Sequence, residues 1–166
     1  MLVLQDLPDE QILKKFADRY PDVQVDKVIQ FLSLLRMSDD LGLMLDSFLA
    51  QYDLLQGRWW VLILLMREDD YLAKPSDLAE KAGVSRATMT GLIDGLLKEG
   101  LVSRRPCTTD RRQVLIELTE AGQAKLDSVM PAYYQRVNAL IGSLGKDAGR
   151  LLELLSVLHK NRHTFD

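Results

Sequence analysis

Four arginines within nine consecutive positions, from Arg104 to Arg112, are the residues of this sequence best suited to binding chemistry. A guanidinium group stays charged and donates hydrogen bonds from a planar fork that matches a phosphate or a carboxylate. Between Val84 and Gln113 the chain has six basic and three acidic side chains, whereas the remaining positions have 15 basic and 21 acidic ones. A positive segment on an acidic chain indicates a local contact with an anion, with a solvated charged loop as the alternative.

Two short apolar segments of strand type enclose the arginines, so a two-stranded hairpin is predicted to carry them. We expect Arg111 and Arg112 at the hairpin tip, where arginine suits the negative potential of a narrow minor groove of DNA. Asp110 would repel phosphate, and we expect it to pair with a neighbouring arginine and hold that guanidinium in a fixed direction. Arg104 and Arg105 are predicted near the hairpin base, within reach of the DNA backbone.

Upstream of the hairpin, residues 76–98 fit a helix-turn-helix that reads DNA. A short supporting helix is followed by a turn with Gly83, and Ser85 is a typical N-cap for the second helix. The first residues of such a recognition helix meet base edges and phosphates. The predicted DNA contacts on this helix are Ser85, Arg86, Thr88, Met89 and Thr90. An ordinary pair of helices with a serine cap is the alternative.

The elements that must position these residues are mainly helices, predicted from apolar spacing and from residues that start or end helices. The predicted helices span residues 9–19, 25–52, 57–67, 75–81, 85–98, 120–142 and 147–161, and the predicted strands lie around Val102 and at 113–118. Gly42 permits a bend in the second helix, and Pro131 predicts an early interruption of the sixth. The expected fold class is mainly α with a small β-hairpin wing.

The composition is typical of a globular protein. Of the 166 residues, 47% are apolar and 27% are charged, which is ordinary for one domain. The N-terminus lacks the basic flank of a secretory signal, and the most apolar run is shorter than the ~20 residues of a membrane span. A single cysteine excludes an internal disulfide framework. We therefore expect a soluble, cytoplasmic protein without membrane contact.

Catalysis is not predicted, because the residue types and spacings of an active site are missing. The sequence has no phosphate-cradling glycine loop and no nucleophile elbow. The acidic runs at 39–40 and 68–70 have no histidine close in sequence. His159 and His163 have the i, i+4 spacing of a zinc pair, but no third ligand accompanies them. No catalytic residue, cofactor or metal is expected.

Together, the hairpin and the helix-turn-helix resemble the MarR family, the multiple-antibiotic-resistance type of bacterial regulators. The run LLKEGLVSRRPCTTDRRQVLIELTEAG matches the family's wing pattern without insertion, and DLAEKAGVSRATMTGLIDGLL is similar to its helix-turn-helix. The matched wing elements are Gly100-Leu101-Val102, Arg104-Arg105-Pro106, Asp110-Arg111-Arg112, Leu118-Thr119 and Gly122. Thr108 stands where a loop proline is common, and Gly91 and Gly95 stand where basic residues are frequent. These departures concern operator sequence and affinity.

The resemblance implies a sequence-specific, double-stranded DNA-binding transcriptional regulator, a ligand-responsive repressor that acts as a homodimer on a pseudo-palindromic operator. Residues 1–54 and 119–166 would form the dimerisation region, and residues 55–118 the winged helix-turn-helix lobe, within one compact domain overall. Leu151, Leu155, Leu158 and other apolar residues near the C-terminus exceed what a lone pair of helices would bury, which favours a dimer independently. The alternative is a winged-helix module that binds a protein and not DNA.

The same resemblance implies an effector site. MarR-like proteins commonly release DNA when a small aromatic or anionic effector binds between the dimer region and the lobe. Tyr52, Arg58 and Trp60 are the candidates on this basis, whereas Trp59 is expected in the core. Cys107 lies in the wing, where an oxidation switch and an incidental surface cysteine are both open interpretations.

Overall fold

Helices dominate the computed structural model, which describes residue 8 and residues 10–107 and 113–165. The elements in chain order are α1 (Glu10–Arg19), α2 (Val25–Ala50), α3 (Gln56–Met66), β1 (Leu72–Ala73), α4 (Pro75–Ala82), α5 (Arg86–Lys98), β2 (Val102–Pro106), β3 (Val114–Leu118), α6 (Glu120–Gly142) and α7 (Ala148–Lys160). Short 3-10 helices at Gly145–Asp147 and Arg162–Phe165 lie on either side of α7. The predicted fold class, mainly α with a small β-hairpin wing, is confirmed.

The chain divides into two compact units, Met1–Trp59 and Trp60–Asp166, and the division falls within α3. In the first unit, α2 is one continuous helix across Gly42, so this glycine introduces no break. The second unit holds the helix-turn-helix, the sheet, α6 and α7. The expected division into dimerisation regions and a DNA-binding lobe concerns function, and it stays a prediction.

The helix-turn-helix of α4 and α5 forms because each boundary residue has suitable backbone chemistry. Pro75 begins α4, where its fixed φ suits a first helical position. Gly83 ends α4 with a φ of +66°, a left-handed conformation that glycine adopts without a steric penalty. Ser85 caps α5, because its Oγ accepts a hydrogen bond from the backbone N–H of Thr88 at 3.1 Å. The predicted turn and cap are both confirmed.

Three antiparallel strands form one sheet in the order β1-β3-β2. In the β2–β3 pair, Arg104 lies opposite Ile116 and Ser103 lies opposite Glu117. Because side chains alternate between the two faces of a strand, Arg104 and Ile116 share one face, whereas Ser103 and Glu117 share the other. The sequence does not predict the two-residue strand β1, which pairs with β3 on the side away from β2.

Helix α6 runs without interruption from Glu120 to Gly142, so the expected interruption at Pro131 is wrong. A proline inside a helix removes one backbone hydrogen bond and crowds the preceding turn, at a cost of ~3 kcal/mol. The two turns before it contain Leu126 and Val129, which are at most 1% exposed. Burying these two side chains contributes roughly 1.5–3 kcal/mol each, which offsets the cost and keeps the helix continuous.

The start of α6 packs directly on the turn between α5 and β2. A Cβ atom built on Gly122 would collide with the carbonyl oxygen of Leu101 and would lie 2.6 Å from Cδ1 of Leu118. Thr119 fixes the same junction, because its Oγ1 donates to the carbonyl oxygen of Gly100 at 2.8 Å and accepts from the backbone N–H of Gly122 at 3.1 Å. Only glycine therefore fits at position 122 without moving the backbone.

We expect Gly122→Ala to lower the free energy of unfolding by about 1–3 kcal/mol, because the added methyl group overpacks a backbone contact. Gly91→Ala is the matched control, since a Cβ at this exposed position in α5 would meet nothing within 4 Å. The control should raise the free energy of unfolding by about 0.5–1 kcal/mol. Chemical denaturation at one fixed protein concentration measures both. Equal effects of the two substitutions would contradict the packing constraint at Gly122.

Candidate nucleic-acid interface

The exposed start of α5 is the first part of the candidate interface. Arg86, Thr88 and Thr90 are exposed, and the exposed Ser85 precedes them at the N-cap. The hydroxyl oxygens of Ser85 and Thr88 are 2.8 Å apart, and Thr90 Oγ1 donates to the carbonyl oxygen of Arg86 at 2.9 Å. These bonds restrain the hydroxyls on a surface that solvent reaches. Such a surface suits contacts with phosphates and base edges.

Met89 differs from the other predicted contacts on α5 because its exposed fraction is 0%. Ile93 and Leu96, which follow at helical spacing, are buried as well. All three lie on the face of the helix that packs into the core. A side chain without exposed surface cannot touch a base, so we exclude Met89 from the proposed DNA contacts.

The wing presents Arg104 on the face of the sheet that also carries Ile116. The Nη2 of Arg104 donates a hydrogen bond to Oδ1 of Asp94 at 2.9 Å, so an ion pair joins β2 to the recognition helix. The side chains of Arg104 and Asp94 are 59% and 48% exposed. An ion pair so open to water contributes at most ~1 kcal/mol to stability. Its main effect is therefore on the direction of the guanidinium fork.

Arg105 leaves β2 on the opposite face of the sheet. Its Nη1 donates to Oε1 of Glu117 at 3.0 Å, and Glu117 Oε2 also accepts from Ser103 Oγ at 3.4 Å. Two arginines that are adjacent in sequence thus lie on different faces, each beside a carboxylate. Neither Asp94 nor Glu117 is among the predicted site residues, although Asp94 follows Thr90 by one helical turn and Glu117 alternates with buried residues in β3.

A cleft of about 280 Å³ lies between α5 and the wing. Its lining residues are Pro75, Thr90, Ile93, Asp94, Arg104, Val114 and Ile116. The helix supplies Thr90 and Asp94, and the wing supplies Arg104, so polar side chains face the cleft from both elements. A second hollow, of about 440 Å³, lies at the start of α4. Its lining residues are Lys74, Pro75, Ser76, Asp77, Gln113 and Val114.

The described part of the hairpin closes at Cys107, whose backbone N–H donates to the carbonyl oxygen of Gln113 at 3.1 Å. The side chain of Cys107 is partly buried. Residues 108–112 lie outside the described residues, and Asp110, Arg111 and Arg112 are among them. Their predicted DNA contacts stay predictions.

The three effector candidates are partly or well exposed. The ring of Tyr52 packs edge-on against Phe48 with a centroid separation of 5.3 Å. Arg58 is partly buried and Trp60 is 43% exposed, whereas Trp59 is 1% exposed, which confirms its expected place in the core. Neither of the two cavities above is lined by any of the candidates. An effector site at Tyr52, Arg58 and Trp60 stays a prediction.

In residues 10–107 and 113–165 there is no group of three or more His, Cys, Asp and Glu side chains placed to hold a metal ion. Nη1 of Arg162, which can only donate, lies 3.3 Å from Nε2 of His159. No helix within the same ranges is long and apolar enough to cross a membrane.

Comparison with known proteins gives consistent results. The sequence model of the MarR family matches residues 56–114, which include α3, the helix-turn-helix and β2. The chain is 33% identical over 162 residues to the HTH-type transcriptional repressor YetL of Bacillus subtilis (strain 168). That match covers 93% of this chain and 97% of YetL.

Solved structures share the fold. Sco3205, a MarR family transcriptional regulator from Streptomyces coelicolor solved in complex with DNA, is similar with a TM-score of 0.75 at 19% identity, over 84% of this chain and 89% of that chain. NadR in complex with 4-hydroxyphenylacetate is similar with a TM-score of 0.61 at 26% identity, over 76% of this chain and 88% of that chain. With the wing pattern, the fold and a repressor matched along nearly its whole length, the chain belongs to the MarR family of transcriptional regulators.

Proposed function

We propose that this protein is a sequence-specific repressor that binds double-stranded DNA as a homodimer and releases it when a small aromatic or anionic effector binds. The observation that carries the proposal is the combined surface of α5 and the wing. On this surface Arg86, Thr88 and Thr90 are exposed on α5, and Arg104 is exposed on β2. The ion pair between Arg104 and Asp94 joins β2 to α5. The similar protein YetL of Bacillus subtilis is a transcriptional repressor, which supports the same role for this chain.

DNA fits this surface better than a protein partner does. The exposed polar side chains in the first turns of α5 are Arg86, Thr88 and Thr90, which suit phosphates and base edges. The apolar residues Met89, Ile93 and Leu96 of the same helix are buried. A protein interface would have an apolar centre. Arg111 and Arg112 would extend the positive surface into an adjacent minor groove. As a DNA-binding transcriptional regulator, the protein would act in the cytoplasm.

Homodimerisation is supported by large apolar side chains that stay exposed on helices near both ends of the chain. No residue of α7, all of which the structure describes, is buried, and Leu152 and Val157 are 70% and 56% exposed. Phe16 on α1 and Met44 on α2 are 51% and 60% exposed. Burial would gain roughly 1.5–3 kcal/mol for each such side chain. A second copy offers the same surfaces in two-fold symmetry, and it would set two recognition helices about 34 Å apart on a pseudo-palindromic operator.

The effector is proposed to be an aromatic acid. Tyr52 and Trp60 offer rings, and Arg58 offers a guanidinium that pairs with a carboxylate. The likeness to NadR, solved with 4-hydroxyphenylacetate, supports this ligand class.

The direct test is a fluorescence-anisotropy titration with duplex DNA from upstream of the protein's own gene, at 50 and 200 mM salt. A dimer that contacts six or more phosphates should lose about 10³-fold or more in affinity between the two conditions, because counterions are released on binding. Adding a panel of aromatic acids should release the DNA. Absence of duplex binding together with salt-insensitive capture of a protein partner would instead support the winged-helix protein-interaction module.

The wing assignment predicts that Arg112→Ala weakens DNA binding by about 1–3 kcal/mol, because a minor-groove contact is lost in each subunit. Arg67→Ala is the matched control, since Arg67 is exposed and lies outside the helix-turn-helix and the wing. Both variants should keep the oligomeric state of the native chain. If Arg112→Ala binds the duplex as tightly as the control, the hairpin tip does not contact DNA.

The dimer proposal predicts that replacing Leu152 and Leu155 together by glutamate yields a monomer in sedimentation-velocity measurements. Each glutamate would place a charge in the apolar contact between the two copies, where it has no partner. Glu153→Gln on the same helix is the control, and it should remain dimeric. A native chain that sediments as a monomer at micromolar concentration would contradict the proposal.

A further inference from the structure

We propose that Asp94 is a positioning residue that sets the ratio of specific to non-specific DNA binding through its ion pair with Arg104. The inference rests on the proposed function, because it concerns how the DNA-binding surface discriminates between duplexes.

Of the two wing arginines that the structure describes, Arg104 is the one joined to the recognition helix. Its register opposite Ile116 places it on the face of β2 that lines the cleft with α5. Across the cleft, Oδ1 of Asp94 accepts a hydrogen bond from Nη2 at 2.9 Å. Thr90, one helical turn before Asp94, lines the same cleft. A phosphate that approaches α5 and the wing together would meet this guanidinium.

The ion pair with Asp94 leaves N–H groups of Arg104 available for a further hydrogen bond. Asp94 takes a hydrogen bond from one nitrogen of the fork, and within residues 10–107 and 113–165 neither side chain has another hydrogen-bond or ion-pair partner. The side chain of Arg104 is 59% exposed, so its remaining N–H groups are accessible to a phosphate oxygen. A planar fork held at one nitrogen presents the others in a defined direction.

The carboxylate has opposite effects on the two kinds of DNA binding. It repels every phosphate, which weakens binding to any duplex. It also restrains a long side chain that would otherwise lose rotamer entropy when a phosphate fixes it, which favours the duplex whose phosphate lies in the direction of the guanidinium fork. Non-specific binding tolerates many geometries, so the repulsion weakens it and the restraint does not strengthen it. Asp94 therefore raises the specific-to-non-specific ratio.

The Arg105–Glu117 pair provides a matched comparison in the same protein. It joins the neighbouring arginine to a carboxylate at 3.0 Å, with 57% and 34% exposed side chains, but it lies on the other face of the sheet and links two strands of the wing. Glu117→Gln removes one negative charge from the wing, just as Asp94→Asn removes one beside it. Only Asp94→Asn releases an arginine that faces the recognition helix.

The experiment measures dissociation constants for a duplex selected from a random-sequence pool by the native protein, and for a scrambled duplex of the same composition, at three salt concentrations. For Asp94→Asn we expect three- to tenfold tighter binding of the scrambled duplex, with a salt slope steeper by about 0.9 for each phosphate newly contacted. Binding of the selected duplex should change by less than twofold or weaken. The specificity ratio should therefore fall at least threefold.

Three controls separate positioning from general electrostatics. Glu117→Gln should change the dissociation constants of both duplexes by the same factor and leave the specificity ratio unchanged. In an Arg104→Gln background, Asp94→Asn should no longer change the ratio, and Asp94→Glu in the native background should restore most of it. Circular dichroism verifies that each variant is folded. If Asp94→Asn does not fold, Asp94→Ser is measured under the same criteria.

The outcomes distinguish this inference from the proposed function. An unchanged ratio in Asp94→Asn, an equal fall in Glu117→Gln, or an effect that persists without Arg104 would overturn the role of Asp94 while the DNA-binding function stands. If the native protein selects no sequence from the pool, the proposed function fails, and the role of Asp94 fails with it.

Discussion

The arrangement of the second unit depends on one close contact, in which the first turn of α6 packs on the turn between α5 and β2. Gly122 has no side chain, which allows its backbone to approach the carbonyl oxygen of Leu101, and Thr119 bonds to the same turn through Gly100. The turn itself is made possible by Gly100, whose φ is +70°. Because this junction is the end of the recognition helix and the start of the wing, it fixes α5, β2 and α6 against one another.

Charge is distributed unevenly over the chain. The chain as a whole has a net charge of -3, yet the wing and the recognition helix collect arginine. Within the described residues, the two wing arginines Arg104 and Arg105 each have a carboxylate neighbour, and the register of β2 sends them to opposite faces. Steering by the positive segment and restraint by its carboxylates act together, so that attraction to DNA does not by itself decide which duplex is bound.

Local chemistry explains what the sequence predicts well. The cap at Ser85, the turn at Gly83 and the strand at 113–118 are each properties of a few adjacent residues, and the structure confirms them. The expected interruption at Pro131 is wrong because burial of Leu126 and Val129 in the two preceding turns outweighs a local penalty.

Non-local geometry explains what the sequence does not predict. Strand β1 has two residues and exists only because β3 offers it an edge. The partners of Arg104 and Arg105 require the strand register and the packing of α5 on the wing, and neither is visible in a linear sequence. The effector residues depend on a site that spacing alone cannot define, which is why Tyr52, Arg58 and Trp60 rest on resemblance.

Hydroxyl-radical footprinting of the native protein on its selected duplex tests whether a symmetric dimer reads the operator, because it reports where each subunit lies on DNA. We expect two protected segments related by two-fold symmetry, with centres about one helical turn apart, roughly 34 Å, and additional minor-groove protection outside them from the wings. A single asymmetric protected segment, or uniform cleavage along the duplex at saturating protein, would contradict this expectation.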